Sequence, residues 1–203
     1  MIRDANGIIM QYDPSNPNPV SGGDSAARTG LAALSGSAQD AALLHLFVID
    51  KLLVRHPFEA GSNDPTNTSR DQLVPFIAGC KLSGNVELAK KLRQSYGWRI
   101  NNDVLDPGVQ LHMDLCSNRT PILSLLGYPW LILSILWACY IAPDHELNQL
   151  MSQCLVAGRF YVRLLCRLYP GDWKSNFTTY FNGWRDLPDL CDMIIKRVEQ
   201  ELK

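Results

Sequence analysis

The spacing of apolar residues predicts helices along most of the chain. Apolar residues recur at helical spacing from Asp24 to Ser35, and again from Ala38 to Leu53. Asp24 and Ser37 stand where an N-cap belongs, and a glycine after Ser35 is a typical stop. The pattern therefore predicts two helices directly after a turn-rich beginning.

Two further helices are predicted before residue 100. Ser69 followed by Gln72 is the capping-box pattern, in which two side chains satisfy N–H groups at a helix start, and it opens a helix to about Lys81. Residues 87–96 form an amphipathic pattern at helical spacing. The Asp-Pro-Gly sequence at 106–108 is typical of a turn within a mixed stretch.

A run of 24 residues, 120–143, carries no charge. This length satisfies the rule for a membrane-spanning helix. Gly127 and Pro129 interrupt the run, and no basic cluster flanks it. We therefore expect these residues to form helices that are buried by protein and not by lipid, with a single-span membrane protein as the minor alternative.

The remaining pattern is also helical. Asp144 is placed to cap a helix from about His145 to Leu168, and helices are predicted at about 173–181 and 189–202. The sequence thus predicts a mostly α protein, a single compact domain of about seven or eight helices.

The first 23 residues stand apart from this pattern. Asn6-Gly7 before an apolar triplet favours a tight hairpin, and prolines recur between residues 13 and 23. We expect residues 1–23 to form a short hairpin or an extended proline-rich arm that lies against another surface. Residues 24–203 form the predicted helical domain.

Composition narrows the classes of partner. With 19 basic and 20 acidic residues, the net charge is −1, so the chain offers no basic field for nucleic acid. Charged residues make up only 19% of the chain, below the usual quarter. The low charge suggests that protein partners or copies of the same chain cover part of the surface.

Cysteine usage and the N-terminus indicate the compartment. Six cysteines occur without a CxxC pair, and most lie in apolar helical runs, which is typical of small buried side chains in a reducing compartment. The N-terminus lacks an apolar signal-peptide core. We expect the protein in the cytoplasm of a host cell or in a virion, and not secreted through a signal peptide.

Charged residues gather at the ends of the first three predicted segments. A site for an anionic or sugar-like ligand needs a carboxylate or histidine for proton transfer and arginine for charge stabilisation. The candidate catalytic residues are Asp24, Arg28, Arg55, His56, Arg70 and Asp71.

Each member of this group except one also has an ordinary structural explanation. Asp24 and Arg28 are spaced for an i,i+4 ion pair, Arg55 and His56 follow a helix end, and Asp71 suits the first turn of a helix. Arg70 is not explained in this way, because a cation is disfavoured at a helix start. The sequence offers no metal-ligand spacing and no cofactor-binding motif, so no metal and no cofactor are predicted.

The strings Gly23–Gly30, Val54–Pro57 and Thr68–Gln72 resemble uncharacterised helical proteins associated with bacteriophages. A looser, architectural similarity is to helical-toroid enzymes that process glycans. The first resemblance implies a helical protein of a phage or other large assembly, with a virion-associated structural or interaction role. The second implies the alternative, a soluble glycan lyase or hydrolase that uses the Asp, His and Arg group and takes a glycan ligand.

Overall fold

Helices account for most of the residues in the computed structural model, which describes residues 1–119, 122–140, 147–169, 171–180 and 188–203. The predicted mostly α fold, packed as one compact domain, is confirmed. The helices within these ranges are α1 Ser25–Leu34, α2 Ala38–Leu43, α3 Arg70–Leu82, α4 Val86–Ser95, α5 Pro107–Cys116, α6 Gly127–Tyr140, α7 Leu147–Ala157, α8 Arg159–Leu168, α9 Trp173–Tyr180 and α10 Pro188–Leu202.

Short hairpins and 3-10 turns connect the helices. Each hairpin pairs two antiparallel strands of two residues, and the turns precede a hairpin or a helix. The hairpins are β1 Gln11–Tyr12 with β2 Val20–Ser21, β3 Val48–Ile49 with β4 Leu52–Leu53, and β5 Arg99–Ile100 with β6 Asp103–Val104; the 3-10 turns are Leu44–Phe47, Pro65–Asn67 and Ile122–Leu126.

The number of helices exceeds the prediction because one predicted turn opens a helix and one predicted helix is two, and other predicted boundaries were also wrong. The second helix ends at Leu43 and not at Leu53, since Asp50 and Lys51 adopt positive φ and turn the chain into β3 and β4. The predicted turn at 106–108 instead opens α5, where the Asp106 carboxylate accepts from the Val109 N–H.

One long predicted helix is also two. The chain breaks between α7 and α8 at Gly158, whose φ of 107° lies in the left-handed region that favours glycine. The start predicted for this helix at Asp144 and His145 lies outside the described residues.

The first 23 residues form two hairpins and not an extended arm. Arg3 pairs with Ile9 across the turn at Gly7, as the Asn-Gly pattern predicts, and Ile8 and Ile9 are fully buried. Beyond them, residues 14–20 are exposed. This part of the arm therefore does not lie against the domain, and a neighbouring subunit as its contact stays a prediction.

Helices α1 and α3 contact each other through their backbones. A Cβ atom added to Gly30 would lie 2.4 Å from Cα of Phe76, and one added to Gly79 would lie 2.3 Å from the Gly30 carbonyl oxygen. Two hydrophobic clusters flank this pair, one with α4 and α5 and the other with α6, α7, α8 and α10. The glycine contact thus lies between the two halves of the core.

Helix α6 is held against the start of α5 by a similar contact. A Cβ atom on Gly127 would lie 2.4 Å from the Pro107 carbonyl oxygen and from Cβ of Leu111. One side of α6 is buried, but the other side is exposed, so the prediction that residues 120–140 are buried was wrong for that side in the isolated chain. None of the described helices has both the length and the apolar character needed to cross a membrane.

We predict that Gly30→Ala destabilises the protein by roughly 2 kcal/mol or more, because the added methyl group forces α1 away from the α3 backbone. Glycine to alanine inside a helix ordinarily stabilises by about 1 kcal/mol, so the sign of the change is diagnostic. Urea unfolding followed by circular dichroism measures it.

Gly97→Ala is the control for this substitution, since no atom lies within 4 Å of the added Cβ. Its free energy of unfolding is expected to stay within about 0.5 kcal/mol of the wild-type value. A Gly30→Ala protein as stable as the wild type would contradict the close approach of the two helices.

Candidate functional site

The starts of α1 and α3 are joined by the side chain of Gln72. Its amide nitrogen donates to the Asp24 carboxylate at 2.9 Å, and its amide oxygen accepts from the Ala27 N–H at 3.1 Å. Ser69 is the N-cap residue of α3 as predicted, but its hydroxyl makes no capping hydrogen bond. The capping-box prediction was therefore wrong, because Gln72 connects two helices instead of closing one.

Arg55 connects three segments near these helix starts through hydrogen bonds. Its guanidinium donates to the carbonyl oxygens of Gly23 and Asn67, at 3.0 and 2.5 Å, and to the Ser69 hydroxyl at 3.2 Å. These partners are main-chain and hydroxyl oxygens of connecting loops. The geometry gives Arg55 a role in holding the loops in place.

Arg28 is fully buried on α1. Its guanidinium donates to the carbonyl oxygen of Met10, at 3.2 Å, in the segment just before β1. A buried guanidinium needs hydrogen-bonding partners to offset the loss of water. The N-terminal hairpin supplies one of them and is thereby attached to the helical core.

His56 is buried against the N-terminal hairpin, which carries Asp4, and against the loop that follows His56 in the sequence. Its Nδ1 accepts from the N–H groups of Phe58 and Glu59, both at 3.1 Å, so the ring proton is on Nε2, which lies 3.5 Å from a carboxylate oxygen of Asp4. Burial lowers the pKa of His56, although Asp4 and Glu59 oppose this effect. His56 is therefore neutral at pH 7.

Asp71 and Arg70 are neighbours in sequence, but their side chains reach different surroundings. The Asp71 carboxylate is exposed and accepts from the Ser69 hydroxyl. Arg70 reaches towards Asp106, at 3.6 Å, and lines a cleft. The two charges of the α3 start therefore do not face one common space.

The six predicted residues thus share a neighbourhood but not a cavity. The segments of Asp24, Arg55 and Asp71 are linked through Gln72 and Ser69, whereas Arg28 and His56 point into the protein. Arg70 is the one member of the six that lines the cleft beside it. A catalytic role for these six residues stays a prediction.

The cleft beside Arg70 has a volume of about 420 Å³, within the range of small-molecule sites. The starts of α3 and α5 supply its charged end, α6 supplies an aromatic wall, and α7 supplies an amide-bearing wall. Its lining residues are Arg70, Asp106, Val109, Trp130, Leu133, Ser134, Trp137, Ala138, Gln149, Leu150 and Gln153.

Sequence reasoning did not select most of these residues as site residues. Trp130 and Trp137 are seven residues apart, which places them on one face of α6. Gln149 and Gln153 are four residues apart in α7, and both are buried. Asn148 and Ser152 recur in the same helix at the same spacing, so the sequence pattern alone did not single out the two glutamines.

Burial raises the pKa of each of the six thiols, so none of them is a thiolate at neutral pH. Burial raises the pKa of Cys166 to about 12 and that of Cys139 to about 11, so both are protonated at neutral pH. Cys116 lies 3.8 Å from Nε2 of His112, but burial lowers the pKa of this histidine to about 4 and raises that of the thiol. Neither partner of this pair is charged at pH 7.

Comparisons of the chain with protein-family models, with curated proteins and with solved structures give no match.

We predict that the free energy of unfolding falls as the pH drops below about 6.5, the ordinary histidine pKa. Burial lowers the pKa of His56 in the folded protein, so below pH 6.5 the unfolded chain binds more protons than the folded one. His56→Asn keeps an acceptor near the Phe58 and Glu59 N–H groups but does not titrate. Its stability is expected to fall less between pH 7.5 and pH 5.

Urea unfolding at several pH values measures this slope independently of the absolute stability of the variant. The buried His112 contributes a slope of the same sign in both proteins, so the difference between them reports His56. Identical slopes in the two proteins would show that His56 is not held neutral by the fold.

Proposed function

We propose that this protein is a structural component of a larger protein assembly and joins copies of itself through one face of α6. The observation that carries the proposal is an apolar stripe of eight exposed side chains. The stripe consists of Ile122, Leu125, Leu126, Trp130, Leu133, Leu136, Trp137 and Tyr140, which are 37% to 83% exposed.

The stripe is larger than the scattered apolar residues of an ordinary surface. Leu126, Trp130, Leu133, Trp137 and Tyr140 follow each other at steps of three and four residues, so they form one continuous row. At about half exposure, its three aromatic side chains alone offer on the order of 300 Å². Patches of more than a few hundred Å² mark interaction sites in soluble proteins.

The absence of charge makes the stripe complementary to itself. From Ile122 to Tyr140 the sequence contains no Asp, Glu, Lys or Arg. In a two-fold contact each patch meets its own copy, and a charged patch would then face a like charge. An uncharged apolar row meets its copy without this penalty, which favours a second copy as the partner.

The specific assembly that we propose is a virion. A virion-associated role is supported by the resemblance of the N-terminal third to phage-associated proteins. The low overall charge supports a protein with covered surface, whatever its source.

A glycan lyase or hydrolase is the alternative function. The cleft at Arg70 favours binding of a ligand over its hydrolysis, because Asp106 is the one carboxylate among the described residues that line it. Glycoside hydrolysis commonly uses two carboxylates, one as acid and one as base or nucleophile. Asp106 is also engaged by the Val109 N–H and by Arg70.

We predict that the purified chain self-associates in a concentration-dependent way and that Leu126→Glu combined with Tyr140→Glu makes it monomeric. Both residues are about two-thirds exposed, so the fold should tolerate the substitutions, whereas carboxylates in a buried interface lose their water. Sedimentation velocity measures the mass distribution, and thermal unfolding verifies that the variant is folded.

Val104→Glu combined with Phe160→Glu is the matched control. These side chains are exposed to a similar extent but lie on β6 and α8. The control protein is expected to associate like the wild type. A wild-type chain that remains monomeric at high micromolar concentration, or a control that also dissociates, would refute association through α6.

A further inference from the structure

We propose that the cleft between α3, α5, α6 and α7 binds a neutral saccharide. This inference rests on the walls of the cleft and goes beyond the proposed assembly role. The cleft opens along one edge of the apolar stripe, and the two features share Trp130, Leu133 and Trp137.

The α7 wall carries two glutamines whose side-chain amides have no hydrogen-bond partner among the described residues. Gln149 and Gln153 are 4% and 9% exposed, and both side chains line the cleft. Neither side-chain amide has a hydrogen-bond partner among the described residues, in contrast to Gln110, which donates to the carbonyl oxygens of Gly97 and Leu105. Because both amides line the open cleft and lack a partner from the described residues, they are available to a ligand bound there.

Each unused amide offers both a donor and an acceptor. A carboxamide presents two N–H donors and one acceptor oxygen, and a sugar hydroxyl also donates and accepts. Because Gln149 and Gln153 are one helical turn apart, their amides can contact neighbouring hydroxyls of one ligand. A hydroxyl-rich ligand can form hydrogen bonds with these amides, whereas an apolar ligand would leave them unpaired.

The α6 wall supplies the apolar half of the recognition. Trp130 and Trp137 are ~10 Å apart along the helix axis. Both rings are partly exposed at the cleft. The faces of indole rings pack on the C–H faces of sugar rings, which combine apolar faces with polar edges. Two indole rings opposite two amides therefore fit a ligand that has apolar faces and polar edges.

The charged end of the cleft argues for a neutral ligand. Arg70 and Asp106 lie 3.6 Å apart, and one positive and one negative charge line the described part of the cleft. The Asp106 carboxylate accepts from the Val109 N–H, which fixes its position. An ion pair of this kind can accept from and donate to hydroxyls, whereas a free anion would be repelled by Asp106.

The experiment titrates the full chain with cellotriose, maltotriose and triacetylchitotriose, followed by calorimetry, with trigalacturonic acid as the acidic comparison. It is performed on the wild type and on the Leu126→Glu, Tyr140→Glu protein, whose substitutions lie outside the cleft. Saccharide binding measured on this variant reports on the cleft independently of assembly. Failure of the saccharide proposal is therefore distinguishable from failure of the assembly proposal.

The decisive variant is Gln149→Leu combined with Gln153→Leu. We expect at least a tenfold loss of affinity for the neutral trisaccharide, together with an unchanged or raised melting temperature, because leucine replaces amides that have no partner among the described residues. Gln110→Leu is the matched control, and its melting temperature is expected to fall by about 2–4 °C or more, since the carbonyl oxygens of Gly97 and of the buried Leu105 lose their donor.

Three results would overturn the proposal. One is the absence of binding of every neutral trisaccharide at about 10 mM, a concentration that detects even weak sites. Another is a Gln149→Leu, Gln153→Leu protein that binds like the wild type or that melts as early as Gln110→Leu. The third is tighter, salt-sensitive binding of trigalacturonic acid, which would assign the cleft to an anionic ligand.

Discussion

The close approach of α1 and α3 is the constraint on which the rest of this structure depends. Gly30 and Gly79 leave no side chain between the helices, so the two backbones lie in contact. The same approach brings the two helix starts together, and Gln72 can then reach Asp24 and Ala27. Both halves of the core pack on this pair. A larger residue at the contact would disturb the polar connections and the packing together.

This arrangement explains why Arg55 and His56 lie beside the starts of α1 and α3. Loops converge at the two helix starts, and their carbonyl and N–H groups form hydrogen bonds with side chains. Arg55 supplies donors to such carbonyls, and His56 supplies an acceptor to the N–H groups of the loop behind it. These contacts explain the positions of Arg55 and His56 by the structure of the N-terminal half, without requiring a catalytic role.

The sequence was sufficient to predict the helical class and the starts of α1 and α3. It was insufficient to predict which neighbours each side of a helix contacts. Ser69 and Asp24 were recognised at helix starts because capping preferences are local. The partner of Gln72 was missed, since the distance between α1 and α3 is set by tertiary contact. For α6, the sequence showed the uncharged run and its interruption at Gly127, but periodicity alone does not tell which side other helices cover. The wall formed by Gln149 and Gln153 was missed for the same reason.

The uncharged character of the α6 stripe has a thermodynamic consequence. Contacts made by such a face gain their free energy mainly from water released from apolar surface, an effect that weakens on cooling. Without ion pairs from this row, the contacts are also insensitive to Debye screening. A complex held in this way loosens in the cold, keeps its affinity across ionic strengths, and has a negative heat-capacity change on formation.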